Sequence, residues 1–202
     1  MLAVRGLHDT RKRRSGVAAA ALLVLALGLG ALWPLPVLVV DAREEGAAGP
    51  APVYMARLGP GETFGIRYRH SVFGVAVEER LAPVPRGFQL VEVVSTTDRI
   101  EDYYAFPGGR LQPMPGYFRL APGEETVIDA PLRVRATPVG QRTLVLEDGG
   151  CVPLGDLGDI VELRWRRVSV ARWLWETAHQ ALFGKDVRLP CPVPAITTTP
   201  SA

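Results

Sequence analysis

The feature that most constrains this chain is an uncharged run near its start. No Asp, Glu, Lys or Arg occurs in Val17–Val40, and Val17–Trp33 is almost wholly aliphatic. At about 1.5 Å per residue, an α-helix over Val17–Trp33 would be roughly 26 Å long, close to the thickness of a bilayer's hydrocarbon core. The two prolines that follow withhold backbone donors and end the helix. The sequence therefore predicts one transmembrane helix over residues 17–34.

The charges that flank this run predict its orientation. Residues 1–16 hold five basic residues against one acidic residue, and four of the five form the cluster Arg11–Arg14. Such cationic flanks stay in the cytoplasm, and Trp33 at the other end suits the headgroup layer. A cleaved signal peptide and a buried core helix are the alternatives. A cleaved signal peptide is disfavoured because the sequence has no A-x-A cleavage site. A buried core helix does not account for the cationic cluster that precedes the run.

The charge of the remaining chain argues against nucleic acid as a partner. The net charge of the whole protein is +2, but residues 17–202 hold 18 basic and 20 acidic residues. A body with this balance lacks the cations that would neutralise many phosphates. Apolar residues make up 48% of the chain and charged residues 22%, which is typical of a globular protein.

After the predicted anchor, short runs of alternating apolar and polar residues follow one another. A period of two is typical of half-buried strands, and Gly and Pro separate the runs. A spacing of about ten residues between such runs favours a sandwich or barrel over other architectures. We therefore predict an all-β fold with a small β-sandwich or barrel-like body. The runs that carry this prediction are 37–40, 64–70, 75–81, 88–94, 132–136, 143–146, 151–154 and 161–165.

These patterns divide the chain into five parts. Residues 105–125, which are rich in Pro and Gly, are expected to form a long loop within the third part. The predicted parts are a cytoplasmic basic tail (1–16), a transmembrane signal anchor (17–34), an exported β domain (35–167), an amphipathic helix (168–184) and a tail (185–202).

The predicted helix has apolar residues at helical spacing on one side. We expect this stripe to close one end of the β core. The alternative is a helix that lies on the membrane surface with Trp173 and Trp175 at the interface. The stripe consists of Val170, Leu174, Ala178, Ala181 and Leu182, and the opposite side holds Arg172, Glu176, His179 and Gln180.

Cys151 and Cys191 are the only cysteines, and both lie in the part expected to be exported. Outside the cytoplasm such a pair often forms a disulfide, and two free thiols are the alternative. Two cysteines alone are too few for a structural zinc site.

A polar motif within the predicted strands is the most specific feature of the sequence. If Phe73-Gly74 is a tight turn, His70 lies opposite Val77 and Tyr68 lies opposite Glu79. His70 and Glu79 then become diagonal neighbours, about 7–8 Å apart. Since a buried carboxylate needs a partner, one interpretation is a structural polar pair that fixes the hairpin register.

The second interpretation of the motif is a ligand-binding or catalytic pair, with Ser71 as a further polar group. Adjacent residues of a strand point to opposite faces, which disfavours a hydrolase triad made from Ser71, His70 and Glu79.

This motif resembles the opening motif of a bacterial family, domain of unknown function 1850. The resemblance rests on His70-Ser71-Val72 with Val77 and Glu79, and on the residues that precede them from Pro60 to Tyr68. It covers residues 35–105. It implies one N-terminal hydrophobic segment, a small exported domain and genes beside TRAP-type transporters of the TAXI subclass, which import small organic acids. It implies no reaction, and Ser95–Ile100 departs from the family's glycine-rich stretch.

No other segment predicts a metal or cofactor. The three histidines lie in separate regions, and the chain has no C-x-x-C, G-x-S-x-G or phosphate-binding glycine loop. Asp98, Glu101 and Asp102 could supply oxygens to a calcium ion, but their spacing matches no calcium loop.

Together these features predict a single-pass protein of the bacterial inner membrane with an extracytoplasmic β domain. We expect a non-catalytic accessory or binding module that contacts TRAP-type transporter subunits or their solute receptor. The alternatives are an exported hydrolase-type enzyme that uses His70 and Glu79, and an envelope structural protein whose Trp173/Trp175 helix lies on lipid. The sequence leaves the oligomeric state open.

The predicted topology can be tested with reporters. Alkaline phosphatase, which is active only outside the cytosol, should be active when fused after Ala202 and inactive when fused after Ser15. A fluorescent protein that folds only in the cytosol should give the opposite pattern. Cytosolic activity of a reporter after Ala202 would contradict the predicted compartment.

Overall fold

A computed structural model describes residues 28, 30–43, 51–183 and 189–191 of the chain. The predicted basic tail 1–16, most of the predicted anchor 17–34 and most of the predicted tail 185–202 lie outside these residues. Within the described part of the chain, no helix has both the length and the apolar character needed to cross a membrane.

The described residues are mostly β-strand. In chain order the elements are β1 (Pro34–Arg43), β2 (Ala51–Arg57), β3 (Phe64–Arg69), β4 (Ala76–Val84), β5 (Gly87–Ser95), α1 (Ile100–Tyr104), β6 (Arg110–Met114), β7 (Tyr117–Ala121), β8 (Thr126–Asp129), β9 (Leu132–Arg135), β10 (Thr143–Leu146), β11 (Gly150–Pro153), β12 (Ile160–Ser169), α2 (Val170–Phe183) and β13 (Leu189–Pro190).

The strands form two antiparallel sheets. The small sheet has the order β2-β1-β12-β9, and the large sheet has the order β13-β11-β10-β3-β4-β5-β7-β6, with β8 paired to the first half of β5. One apolar core lies between them, to which β1 contributes Leu38 and Val40 and the large sheet contributes Phe64, Leu81 and Leu144. For the described residues, this confirms the prediction of a mostly β, sandwich-like body.

Strand β1 is buried on both of its faces. Leu38 and Val40 face the shared core, whereas Val37 and Val39 face outward, and all four side chains are inaccessible to solvent. The outward pair packs in a second cluster that includes Trp173 of α2. Helix α2 therefore covers the outer face of the small sheet.

The orientation of α2 differs from the sequence prediction. Trp173 contacts the sheet, while Leu174 and Ala178 of the predicted core-facing stripe are exposed. The side chains of Ala181 and Leu182 lie outside the described set. Because α2 follows β12 without a linker, the strand sets the direction of its first turn, and this turn places the indole of Trp173 over the sheet.

The prediction of a loop over residues 105–125 was wrong, because this region contains the hairpin β6–β7. Strand β6 is the edge of the large sheet, where Pro113 can pair on one side without leaving a neighbouring strand short of a donor. The turn Pro115-Gly116 joins the two strands, and Gly116 has φ +83°, a left-handed conformation that favours glycine at this turn position.

Cys151 and Cys191 are joined by a disulfide whose Cα atoms are 4.9 Å apart. Cys151 lies in β11, and Cys191 directly follows β13, which pairs with β11. The bond therefore ties the end of the described chain to the edge of the large sheet.

The outer face of the small sheet carries a buried charge network. Asp41 and Glu162 lie directly opposite each other on β1 and β12, and their side chains are only 5% and 2% exposed. Arg164 donates to both carboxylates, and Arg133 Nε donates to Glu162 Oε1 at 3.0 Å. Arg164 thus places a positive charge between two acidic groups that would otherwise repel each other.

The arginines determine the ionisation of Glu162. Burial works to raise the pKa of this carboxyl, but the hydrogen bond from Arg133 and the charge of Arg164 outweigh it and hold the pKa below its ordinary value. The carboxylate therefore contributes stability above the ordinary glutamate pKa, and this contribution is lost as the pH falls through the lowered value.

This network predicts unequal costs for two substitutions. Glu162→Gln should lower the free energy of unfolding by about 2 kcal/mol at neutral pH. Arg164→Met should lower it by about 4 kcal/mol, because it leaves two buried carboxylates without their shared cation. Urea unfolding of the disulfide-bonded full chain in detergent measures both.

The difference in the free energy of unfolding between wild type and Glu162→Gln should shrink as the pH falls below about 4.3, the ordinary glutamate pKa. If Arg164→Met costs no more than Glu162→Gln, the bridging role of Arg164 is wrong.

Candidate functional site

The predicted site residues lie at one end of the sandwich, and the chain's path identifies which end. Ser169, the last residue of β12, pairs with Pro34, the first residue of β1. Beside this pair, Val170 N donates to Trp33 O at 3.0 Å. We call this the proximal end, because the predicted anchor leads into it.

The opposite, distal end holds the His70 motif. At the start of β12, Asp159 O accepts a hydrogen bond from Ala136 N. After Ala136 the chain crosses from the small sheet to the large sheet through residues 137–142, which we call the crossing loop. In this loop, Gly140 O accepts a hydrogen bond from Arg69 N at 2.9 Å. Arg69 ends β3, so the turn that follows it points away from the proximal end.

The β3–β4 hairpin has a different register from the predicted one. Tyr68, not His70, lies opposite Val77, and Ile66 lies opposite Glu79. The register is therefore offset by two residues, and the connection is the four-residue turn Ser71–Gly74. Since an offset of two residues preserves the pleat, each of the strand residues keeps the face that was predicted for it.

The His70 ring explains the longer turn. Its Nδ1 accepts hydrogen bonds from Val72 N at 3.2 Å and from Phe73 N at 3.4 Å. His70 N and O also pair with Val75 O and Gly74 N across the turn. Gly74 has φ +67°, which a residue with a side chain adopts only with strain. His70 thus satisfies backbone donors that a two-residue turn would not contain.

Aromatic rings enclose His70, which is only 3% exposed. The imidazole stacks on Phe73 with 4.8 Å between ring centroids, and Tyr103 contacts it edge-on at 4.2 Å. Tyr103 lies on α1, which is anchored by the buried side chain of Ile100. The turn and α1 are therefore packed together through the imidazole.

Glu79 binds two phenols. Tyr68 Oη donates to Glu79 Oε1 at 3.1 Å, and Tyr104 Oη donates to the same oxygen. The two hydroxyl oxygens are 2.6 Å apart, and the guanidinium of Arg142 lies 5.1 Å from the centre of the Tyr68 ring. The structure thus pairs Glu79 with tyrosines, whereas His70 caps the turn.

The tyrosines stay protonated in this cluster. Burial raises the pKa of Tyr68, and the negative charge of Glu79 raises it further. Burial raises the pKa of Tyr104 as well, again with a contribution from the charge of Glu79. Both hydroxyls are therefore donors at neutral pH, which a carboxylate acceptor requires.

Sequence reasoning named His70, Ser71, Glu79 and Tyr68 but missed Tyr104. Tyr104 comes from α1, 25 residues after Glu79, and nothing in the strand pattern links the two. The only local signal was the adjacent pair Tyr103-Tyr104. Because the two tyrosines are neighbours on a short helix, one can point inward while the other is exposed.

Ser71 and the acidic residues of the calcium hypothesis are exposed. Ser71 lies in the turn beside His70, and no hydrogen bond joins the two side chains within the described residues. Across residues 30–43, 51–183 and 189–191, no group of three or more His, Cys, Asp or Glu side chains is arranged to hold a metal ion.

No protein-family model, curated protein or solved structure matches this chain. The resemblance to domain of unknown function 1850 therefore stays a prediction from the motif around His70 and Glu79.

Two adjacent tyrosines provide a matched test of this cluster. Tyr104→Phe should lower the free energy of unfolding by about 1–2 kcal/mol, because Glu79 loses a donor. Tyr103→Phe should change it by less than about 0.5 kcal/mol, since no hydrogen bond to the Tyr103 hydroxyl occurs in the described part of the chain. Urea unfolding at neutral pH distinguishes them, and equal losses would contradict the assignment.

The same cluster predicts a loss of stability in alkali. Because the pKa of both phenols is raised in the folded state, their contribution is complete below about pH 10, the ordinary tyrosine value, and declines as the pH rises above it. Glu79→Gln removes the negative charge that helps to raise the pKa of Tyr68 and Tyr104. Phenolate absorbance near 295 nm should therefore appear at lower pH than in wild type.

Proposed function

We propose that the protein is a membrane-anchored, extracytoplasmic binding module that serves a TRAP-type solute transporter without catalysing a reaction. Its recognition surface is the distal end of the sandwich. The observation that carries this proposal is the exposure of apolar side chains there: Val139 is 80% exposed, Val72 is 72% exposed and Tyr103 is 55% exposed. Clustered apolar exposure of this kind is typical of a binding surface.

These three side chains belong to neighbouring segments. Val72 lies in the His70 turn, and Tyr103 contacts the imidazole of His70 in that turn. Val139 lies in the crossing loop, whose Gly140 is hydrogen-bonded to Arg69 immediately before the turn. The turn, the crossing loop and α1 are thus neighbouring segments at the distal end.

The surface is held in place before any partner binds. The His70 imidazole caps the turn, and Tyr104, one residue from Tyr103, is tied to Glu79 and Tyr68. A preorganised surface loses less conformational entropy on binding than a flexible one. In this interpretation the buried polar cluster is a support for the exposed residues, and it does not itself contact the partner.

Two further features support an extracytoplasmic, membrane-anchored protein. The uncharged run after the cationic cluster predicts an anchor that leads into Pro34 at the proximal end, opposite the proposed surface. The Cys151–Cys191 disulfide suits an oxidising compartment. The recognition surface would then face away from the bilayer, where a transporter's extracytoplasmic part or its soluble solute receptor can reach it.

The alternative of an exported hydrolase fits the geometry less well. A serine nucleophile needs a base within hydrogen-bond reach, and that base needs an orienting partner. The Nδ1 atom of His70 instead accepts two backbone N–H groups, and Glu79 accepts two phenols. His70 and Glu79 are therefore engaged in holding the turn and α1.

Site-specific photo-cross-linking in the native host tests the proposal. A benzophenone amino acid placed at Val139 of the full chain should cross-link to a transporter subunit or its solute receptor. The same probe at Val91, a valine that is 40% exposed on β5, is the matched control and should not. Val72→Ser should reduce the yield at Val139 severalfold. Absence of any transporter component from the Val139 products would contradict the proposal.

A further inference from the structure

Helix α2 turns its apolar side away from the protein. Leu174 is 54% exposed and Trp175 is 70% exposed, and Ala171 and Ala178 on the same side are exposed as well. Among the described side chains of α2, the part-buried positions are Val170, Trp173, Glu176 and Gln180. A helix at the surface of a soluble domain has the opposite arrangement, because its apolar side packs on the core.

A second pair of exposed apolar side chains lies next to the start of this helix. Leu32 is 71% exposed and Trp33 is 68% exposed. Trp33 O accepts the hydrogen bond of Val170 N, so Trp33 is adjacent to the first residue of α2. Trp175 follows Val170 by five residues, about 7.5 Å along the helix axis. We define Leu32, Trp33, Leu174 and Trp175 as the proximal patch.

The chain before Trp33 and the charges near the helix indicate what covers this patch. The residues that precede Leu32 belong to the uncharged segment that begins at Val17, and the length of this segment suits a bilayer. Arg167 and Arg172 are exposed at this end of the protein, where cations would meet lipid phosphates. Exposed tryptophans beside such a run are typical of residues in the headgroup layer.

We infer that α2 lies in the headgroup layer of the phospholipid bilayer that holds the anchor, with Leu174 and Trp175 inserted among the lipids. This inference rests on the membrane anchoring in the proposed function and adds a second, helical contact to it. Trp173 keeps the helix attached to the small sheet, so the β domain is held against the membrane at its proximal end. The distal surface is then directed away from the bilayer in one orientation.

The experiment uses the full chain in vesicles of phosphatidylethanolamine and phosphatidylglycerol, with or without brominated acyl chains that quench nearby tryptophans. Trp175→Phe should remove about half of the quenched emission, since Trp33 and Trp175 are the indoles expected near lipid. Trp165→Phe is the matched control. Its indole Nε1 donates to Leu58 O at 3.0 Å within the protein, so this change should leave the quenched emission unaltered.

The outcomes separate the two proposals. If Trp33→Phe reduces the quenched emission and Trp175→Phe does not, the chain is anchored but α2 is not on lipid, and the inference is wrong. If no tryptophan is quenched and the chain does not float with the vesicles, the anchoring itself fails. If a second copy of the chain covers the proximal patch, Trp175 should not be quenched by the lipids. Trp175→Phe should then lower the mass of the detergent-solubilised particle, and this result would also overturn the inference.

Discussion

Burial of β1 on both faces is the constraint on which the rest of the structure depends. Its inward residues complete the core between the sheets, but Val37 and Val39 leave an apolar outer face that the large sheet cannot cover. Helix α2 covers it, and because α2 continues directly from β12, only one side of the helix can reach the sheet. Trp173 fills that position, and the longer apolar side is left outward. The outward position of Leu174 and Trp175 therefore follows from the way α2 covers β1.

The two ends of the sandwich differ in chemistry because different elements form them. The proximal end combines the beginning of β1 with α2, and its exposed residues include aliphatic and indole side chains together with Arg167 and Arg172. At the distal end, a hairpin turn, a short helix and a crossing loop meet around His70 and Glu79. There the side chains of His70 and Glu79 point inward and are satisfied by backbone N–H groups and phenols, while the apolar side chains of Val72, Tyr103 and Val139 are exposed. Buried polar groups thus fix the positions of these loops from inside the protein.

Much of the sheet could be predicted from the sequence, and the reason for each failure is physical. Alternation located β3, β4 and β12 because each has one face on the core. The hairpin β6–β7 was missed because Pro and Gly signal a loop, although an edge strand tolerates both. The register of β3–β4 was missed by two residues because the His70 cap is a side-chain contact with the turn. Tyr104 could not be assigned to Glu79, since the packing of α1 against β4 joins residues that no periodicity connects.

The sequence by itself determined the uncharged run and its cationic flank, many of the strand-forming segments and, in the β3–β4 hairpin, the face on which each strand residue lies. These are local properties, because the period of two and the absence of charge depend only on residues that are close together in the sequence. Only the tertiary structure decided that Glu79 binds tyrosines, that the acidic residues Asp41 and Glu162 share Arg164, and which side of α2 faces outward. Each of these contacts joins segments that are distant in the sequence. Because their free energy depends on how those segments pack together, no short stretch of the chain predicts them.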